Sequence, residues 1–192
     1  MFNPVFLKSA SQAADFPDDI GREVGVVGRS NSGKSSAINT VVGARKLARV
    51  SKIPGRTQLI NFFELAPQRR VVDLPGYGFA RVPENVRRRW RGLIESYFTG
   101  RQSLIGLMIT IDIRRGLVEL DRTMLEKAFE HDVPSAVLLT KADKLSRSAA
   151  LSRLHAIRQE IASDTGLILF SAPKKIGVQE ARVQLQDWLD LA

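Results

Sequence analysis

The chain has 192 residues, no cysteine and a formal net charge of +9 at pH 7, which excludes a disulfide framework and a thiolate metal site. Its apolar runs are shorter than the ~18–20 residues of a membrane span, and its start shows no secretory pattern, so we expect a cytoplasmic protein. The positive charge favours a polyanionic partner such as nucleic acid or an anionic membrane surface, although it can also serve solubility alone.

Strand-like and helix-like segments alternate along the chain. We expect residues 1–20, which contain two prolines, to form an extended or loosely packed lead-in, and residues 21–192 to form one domain. Apolar patterns predict strands at residues 23–28, 59–65, 70–74, 105–112, 135–140 and 167–171, and helices at residues 34–42, 84–98, 119–130, 147–162 and 178–191. Several strands are continuous Val/Ile/Leu runs, as in sheets covered on both faces. The order predicts a single doubly wound α/β domain with a mostly parallel six-stranded sheet and helices on both faces.

A glycine-rich segment lies between the first strand and the first helix of this domain. Its two glycines, Gly28 and Gly33, let backbone N–H groups turn inward around phosphate oxygens, and the helix start adds its positive dipole end. Lys34 would reach the β- and γ-phosphates, and the Ser35 hydroxyl would bind Mg²⁺. This P-loop consists of Gly28, Arg29, Ser30, Asn31, Ser32, Gly33, Lys34 and Ser35. Alone, it does not distinguish ATP from GTP.

A second segment, which begins with an acidic residue, completes the predicted phosphate and metal site. Asp73 ends an apolar strand, where a carboxylate would contact Mg²⁺ through water. Gly76 leaves a backbone N–H able to approach the γ-phosphate. The residues assigned to this contact are Asp73, Leu74, Pro75 and Gly76.

Two later strand ends indicate which base is bound. A carboxylate at Asp143 accepts hydrogen bonds from both the ring N1–H and the amino group of guanine, whereas adenine has no such donor pair, so GTP is favoured over ATP. The Lys141 stem would lie along the base, and backbone N–H groups after the last strand would reach the guanine O6. The predicted base contacts are Thr140, Lys141, Ala142, Asp143, Phe170, Ser171 and Ala172.

Residues 51–58 are rich in turn formers and positive charge. The Thr57 hydroxyl would bind Mg²⁺ and its N–H the γ-phosphate, and both contacts are lost on hydrolysis, so this loop is predicted to be a switch. A basic surface loop is the alternative. The predicted nucleotide contacts here are Gly55, Arg56, Thr57 and Gln58.

Five blocks of the sequence resemble the EngB family of bacterial GTPases: residues 28–35, 50–65, 72–80, 139–145 and 170–177. The resemblance extends over about residues 20–190 and implies one G domain that hydrolyses GTP to GDP, with Ser35 and Thr57 as Mg²⁺ ligands. It also implies a role in assembling the large ribosomal subunit, with rRNA and ribosomal proteins as partners, and a link to cell division and septation. We expect a monomer.

The water that attacks GTP lacks its common orienting group in this sequence. Tyr77 stands directly after Gly76, where many small GTPases have glutamine. Asn31 could instead hold a K⁺ ion near the phosphates, or it could only brace the loop through a side-chain hydrogen bond. We therefore expect slow hydrolysis by the chain alone, with Lys34, Thr57 and Gly76 as the catalytic residues, and acceleration by an assembly partner.

Basic residues cluster around the switch, on the second helix and after the last strand. Recognition of RNA backbone and shape is one explanation, and solvated surface is the other. The clusters consist of Arg45, Lys46, Arg49, Lys52, Arg56, Arg87, Arg88, Arg89, Arg91, Lys174 and Lys175. Two alternatives to a GTPase switch remain: a regulatory binding module in cell division, and a kinase for a nucleotide or another small molecule. A kinase would need a lid that binds the second substrate, which the sequence does not show, and it would leave Asp143 without a purpose.

Overall fold

One sheet of seven strands runs through the computed structural model, which describes residues 2–44, 46–48, 59–78 and 84–191. The strands are β1 (Val5–Ala10), β2 (Arg22–Gly28), β3 (Ile60–Ala66), β4 (Arg69–Asp73), β5 (Leu104–Asp112), β6 (Ser135–Thr140) and β7 (Gly166–Leu169). The helices are α1 (Lys34–Val42), α2 (Glu84–Gly100), α3 (Glu119–Glu130), α4 (Arg147–Arg158) and α5 (Val178–Leu189). The predicted single α/β domain with a mostly parallel sheet is confirmed.

The strand order places the carboxyl ends of six strands, all except β3, at one edge of the sheet. The order is β1-β3-β4-β2-β5-β6-β7; neighbours from β4 to β7 are parallel, whereas β3 is antiparallel to both β1 and β4. The chain passes from β2 to β4 on one side and then crosses to β5 on the other. Ligands bind outside the strand ends at such a reversal point, which here lies beside β2.

Helices cover both faces of the sheet, which explains the continuous apolar strands. Ile38 of α1 and Leu185 of α5 pack with β2 on one face. On the other face, Ile94 of α2, Met124 of α3 and Ile157 of α4 join a second buried cluster. Burial of the sheet from both sides fixes the strand ends at which the site is built.

The seventh strand, β1, lies within the segment predicted to be a lead-in, so the prediction of six strands is one too few. It pairs with β3 at the outer edge of the sheet. Val5, Phe6 and Leu7 are consecutive apolar residues and all three are exposed. The sequence of β1 therefore lacks the apolar–polar alternation that identifies a half-buried strand.

Three helix ends also differ from the prediction, and one of them is that of α5, predicted to end at residue 191, which ends at Leu189. The helix predicted at residues 147–162 ends at Arg158, whose guanidinium donates to the carbonyl oxygens of Ala162 at 3.1 Å and Thr165 at 2.7 Å. These bonds close a turn in place of a further helical turn. In the other direction, α2 continues to Gly100, two residues past its predicted end.

A buried ionic network joins the end of α2 to the start of β2. Glu23 is 0% exposed, and its carboxylate accepts hydrogen bonds of 2.5–3.2 Å from the side chains of Arg70, Tyr97 and Arg101. Both arginines also donate to main-chain oxygens within residues 17–20. This part of the lead-in is therefore attached to the domain. Within the described part of the chain, no helix is both long and apolar enough to cross a membrane.

Candidate functional site

The P-loop leaves β2 at Gly28, where any side chain would collide with β5. A Cβ atom on Gly28 would lie 2.1 Å from Thr110 Oγ1 and 2.7 Å from the Thr110 carbonyl oxygen. At the other end of the loop, Gly33 has a φ of +97° and caps α1, which begins at Lys34. The left-handed region favours glycine at position 33, and the close approach of Thr110 favours it at position 28.

Two threonines, one on each of the adjacent strands β5 and β6, form hydrogen bonds with the P-loop. Thr110 of β5 forms a hydrogen bond of 2.7 Å between its Oγ1 and Ser32 Oγ. Thr140 at the end of β6 donates to the Ser32 carbonyl oxygen. Thr110 was not among the predicted site residues; the available signal was a hydroxyl within an otherwise apolar buried strand.

The structure brings together the predicted phosphate-binding lysine and the predicted Mg²⁺ partner. Lys34 Nζ donates to Asp73 Oδ1, and both side chains are nearly buried. Ser35 follows as the second residue of α1. A hydroxyl and a carboxylate are hard oxygen donors of the kind Mg²⁺ prefers, and Asp73 already carries a cationic partner. The residues therefore fit a Mg²⁺ ion at this point.

The segment after Asp73 continues the sheet along the P-loop. The Leu74 N–H donates to the Val26 carbonyl at 3.0 Å, and the Tyr77 N–H donates to the Gly28 carbonyl at 3.3 Å. In return the Ser30 N–H donates to the Tyr77 carbonyl at 3.0 Å. These bonds place Gly76 beside the P-loop. The neighbouring Pro75 carbonyl accepts a hydrogen bond of 3.1 Å from Trp90 Nε1 on α2.

The Tyr77 side chain is buried and bonded to α3. Its hydroxyl donates to Asp121 Oδ1 at 2.6 Å, and Asp121, which is 1% exposed, also accepts from the Val118 N–H at the start of α3. Burial raises the pKa of both groups. The Arg29 guanidinium lies close by, and its buried Nε has no hydrogen-bond partner among the described residues. Asp121 was not predicted, because its partner is distant in sequence.

Replacing Tyr77 with phenylalanine should destabilise the fold by about 1–3 kcal/mol while leaving GTP turnover unchanged. The buried Asp121 carboxylate would lose a donor, and we expect turnover to be unaffected because the Tyr77 hydroxyl is bonded to Asp121. Because that hydrogen bond lowers an already raised Asp121 pKa, the destabilisation should shrink as pH falls and Asp121 becomes protonated. Thermal unfolding at two pH values and a turnover assay measure both effects.

Asp121→Asn is the matched control, because asparagine keeps an acceptor for Tyr77 but does not titrate. A Tyr77→Phe chain that is as stable as wild type at neutral pH, or that hydrolyses GTP much more slowly, would contradict this role.

Lys141 connects the P-loop with β5. Its Nζ donates to the Asn31 carbonyl at 2.7 Å and to Asp112 Oδ2 at 2.9 Å. Burial alone would raise the Asp112 pKa, but hydrogen bonds from Arg114 and Lys141 outweigh it and hold that pKa below its usual value. The lysine stem is thus held along the site. Asp112, like Asp73, ends a buried strand, a signal that sequence reasoning did not use.

Asp143 is oriented by a hydroxyl from the next strand end. Ser171 Oγ donates to Asp143 Oδ1 at 2.6 Å and lowers the Asp143 pKa, so the carboxylate is ionised and accepts hydrogen bonds. The Ala142 N–H donates to the Phe170 carbonyl at 3.1 Å, which ties the two loops together. The predicted guanine-binding carboxylate and the P-loop therefore share one edge of the sheet.

The predicted donors to the guanine O6 are only partly available. The Phe170 N–H donates to Leu139 and the Ser171 N–H to Ile176, at 2.9 and 3.0 Å. Ala172 remains as the candidate backbone donor. The structure instead assigns Ser171 a side-chain role, in positioning Asp143.

The predicted switch lies outside the described residues. This applies to Gly55, Arg56, Thr57 and Gln58, and to the basic residues Arg45, Arg49 and Lys52. The basic side chains that are described, namely Lys46, Arg87, Arg88, Arg89, Arg91, Lys174 and Lys175, are exposed, as predicted for α2. Asn31 has a φ of +63°, and its side chain makes no hydrogen bond to any described residue, so the bracing bond considered above is not observed there.

Sequence comparisons agree with this geometry. Residues 23–141 match a family model described as 50S ribosome-binding GTPase. The chain is 48% identical to a probable GTP-binding protein EngB of Aromatoleum aromaticum, over 98% of this chain and 89% of that protein. It is 45% identical to the protein of the same description in Coxiella burnetii, over 95% of this chain and 91% of that one. The corresponding Escherichia coli O157:H7 protein is 46% identical, over 96% and 90%.

Solved structures show the same fold at lower identity. A crystal structure of a probable GTP-binding protein EngB superposes with a TM-score of 0.71 at 22% identity, covering 88% of this chain and 98% of that one. Era, in complex with MgGDPNP and a segment of 16S ribosomal RNA, superposes with a TM-score of 0.67 at 19% identity, covering 87% and 56%.

Proposed function

The chain belongs to the EngB family of GTP-binding proteins, and from this premise we propose that it hydrolyses GTP as a switch in the assembly of the large ribosomal subunit. The GTPase domain itself follows from the family. In this proposal the chain uses Mg²⁺ and K⁺ and acts on a large-subunit precursor. We further propose that it acts as a monomer in the cytoplasm.

The observation that carries the choice of GTP is the ionised Asp143 beside the P-loop. Its side chain is largely shielded from solvent and its carboxylate is oriented by a hydrogen bond from Ser171. Adenine would offer this acceptor neither of the two donors of guanine, and a site built on such hydrogen bonds rejects the wrong ligand by roughly 10⁴-fold. The phosphates of the same nucleotide would lie against the backbone N–H groups of residues 28–35.

Nucleotide binding would change the partner of Lys34, before hydrolysis takes place. In the structure its ammonium contacts Asp73; with nucleotide bound it would reach the β- and γ-phosphates. Ser35 and Thr57 would hold Mg²⁺, with Asp73 acting through water, and the ion would offset the charge that develops on the phosphates. The Gly76 N–H would contact the γ-phosphate. Tyr77, buried against Asp121, does not reach the attacking water.

The ribosomal partner is proposed from charge and from relatives. The matched family model is described as 50S ribosome-binding GTPase, and the chain carries nine net positive charges. The exposed arginines of α2 would contact RNA phosphates without reading base sequence. Cell division is the second candidate role, in which the chain would be a regulatory GTP-binding module with incidental turnover.

Co-sedimentation with ribosomal subunits separates these roles. With GTP the wild-type chain should pellet with large-subunit precursors, and with GDP it should stay in the supernatant. Lys34→Ala should abolish the difference and lower turnover roughly 10²–10³-fold, because it removes a cation from the transferred phosphate. Lys127→Ala on α3, which removes a lysine paired with Glu95 away from the site, is the matched control. If association with ribosomal subunits is the same with GTP and GDP and is unchanged in Lys34→Ala, the regulatory module is favoured.

The proposed K⁺ site predicts a dependence on the monovalent cation. Replacing KCl with NaCl at constant ionic strength should slow GTP turnover severalfold, since a K⁺ ion at Asn31 would offset charge during bond cleavage. Asn31→Gly should make turnover equal in the two salts. Glycine suits the φ of +63° at this position, so the loop keeps its shape. Equal turnover by the wild-type chain in both salts would exclude the cation role.

A further inference from the structure

A cleft of about 660 Å³ opens at the edge of the sheet opposite the P-loop. Its walls are the last turns of α3 and the turn that follows α4, and its floor is the start of β6. We name it the α3–α4 cleft. None of the residues assigned to the nucleotide lines it, because they lie at the other ends of the strands.

An exposed aromatic ring stands at the rim of the α3–α4 cleft. Phe129 is 79% exposed, more than any other large hydrophobic residue in the described part of the chain. Leu125 and Ile161 line the interior beneath it and pack against the buried core. An apolar hollow with a protruding ring is typical of a surface that receives an apolar side chain from a partner.

The rim of this cleft has the opposite charge to the rest of the protein. Four carboxylates line it, against a single guanidinium from Arg122, which is paired with Glu160. The four are Glu126, Asp132, Glu160 and Asp164. Both α3 and α4 end here, but each carries a basic residue in its last turn, Lys127 and Arg158, so the negative charge of the rim comes from the carboxylates. The surface therefore attracts cations although the chain as a whole is at +9.

From the ring and the charge together we infer that the α3–α4 cleft docks a Lys/Arg-rich protein segment, which inserts an aliphatic or aromatic side chain beside Phe129. The cationic side chains of that segment pair with the rim carboxylates. Nucleic acid does not suit this surface, because its phosphates would face four carboxylates. A second copy of the chain would join its basic α2 to this cleft head to tail, a contact that forms rings or filaments rather than a closed pair.

The cleft is already formed without a partner. The ion pair between Arg122 of α3 and Glu160 spans its two walls. The turn after α4 is closed by Arg158, which donates to the Thr165 carbonyl at 2.7 Å. A partner would therefore find the binding surface in place, and little ordering of this chain would oppose docking.

The test uses the full GDP-bound chain and a short fluorescein-labelled peptide of repeated Lys-Arg-Leu units, followed by fluorescence anisotropy. The wild-type chain should bind this peptide, and a matched peptide of repeated Lys-Arg-Ser units at least severalfold more weakly. Phe129→Ala and the pair Glu126→Lys with Asp164→Lys should each weaken binding roughly tenfold. Leu151→Ala, an exposed apolar residue of α4 outside the cleft, and Glu180→Lys on α5 are the matched controls and should bind as wild type.

Each variant is also assayed for GDP affinity and thermal stability, both of which should equal wild type because the cleft lies away from the nucleotide. Equal peptide binding by wild type and cleft variants overturns the inference, as does equal binding of the two peptides. Binding of labelled oligouridine that is lost in Phe129→Ala would make the occupant RNA. Self-association of the wild-type chain that is lost in Phe129→Ala would make it a second copy. Failure of GDP binding in the wild-type chain would instead refute the proposed GTPase site and leave the cleft untouched.

Discussion

Replacing Asp143 with asparagine should lower the affinity for GDP by roughly 10³–10⁴-fold and make xanthosine diphosphate the preferred ligand. Guanine presents two donors to this position, N1–H and the amino group, and an ionised carboxylate accepts from both. An asparagine amide offers one acceptor and one donor, so it faces the guanine amino group with a second donor. Xanthine has a carbonyl in place of that amino group and suits the amide.

Isothermal titration of both nucleotides measures this exchange of preference. Lys144→Ala is a useful control, since Lys144 Nζ lies 3.5 Å from Asp143 Oδ2 but is largely exposed, and its loss should change GDP affinity little. Ser171→Ala should give an intermediate loss, because Asp143 would keep its charge but lose the hydroxyl that aims it. GDP binding by Asp143→Asn at wild-type strength would remove the basis for guanine recognition.

Replacing Glu23 with alanine should have the largest effect on stability, about 3–5 kcal/mol. The substitution leaves two buried guanidinium groups, those of Arg70 and Arg101, without their shared carboxylate. Removing one partner of a buried ion pair is costly because the remaining charge stays out of water. That loss is a large share of the ~5–15 kcal/mol by which a domain of this kind is stable.

Urea unfolding without nucleotide is the direct measurement for Glu23→Ala. The midpoint should fall while the slope with denaturant stays the same, because the extent of buried surface is unchanged. Glu180→Ala on the exposed face of α5 should shift the free energy of unfolding by less than about 0.5 kcal/mol. If Glu23→Ala unfolds at the wild-type midpoint, the network contributes no net stability.

The sequence predicted the parts of the fold whose signals are local. The glycines of the P-loop, the continuous apolar strands and the amphipathic α2 each have a pattern within one segment, and the structure places them as predicted. β1 was missed because its apolar residues face solvent at the sheet edge and do not alternate. The end of α4 was misplaced because it depends on where the Arg158 guanidinium finds acceptors.

The residues of the candidate site likewise divide into those with a local sequence signal and those whose role depends on a distant contact. Asp73, Asp143 and Lys34 could be named because each stands at a fixed offset from a strand end or a glycine. Asp121 could not, since its role depends on Tyr77 being brought to it across the sheet. Thr110 and Asp112 lie between these cases. They occupy the end of β5, and the reasoning that selected Asp73 would have selected Asp112 as well.

The pairing of residues 74–77 with the P-loop has a mechanical consequence. Leu74 and Tyr77 are hydrogen-bonded to β2 and to the loop that follows it, so these two segments move together. Gly78, with a φ of +76°, is the first residue beyond the paired stretch at which the backbone turns. A displacement of Gly78 would therefore reach the proposed phosphate-binding backbone through the hydrogen bonds of Tyr77 with Gly28 and Ser30.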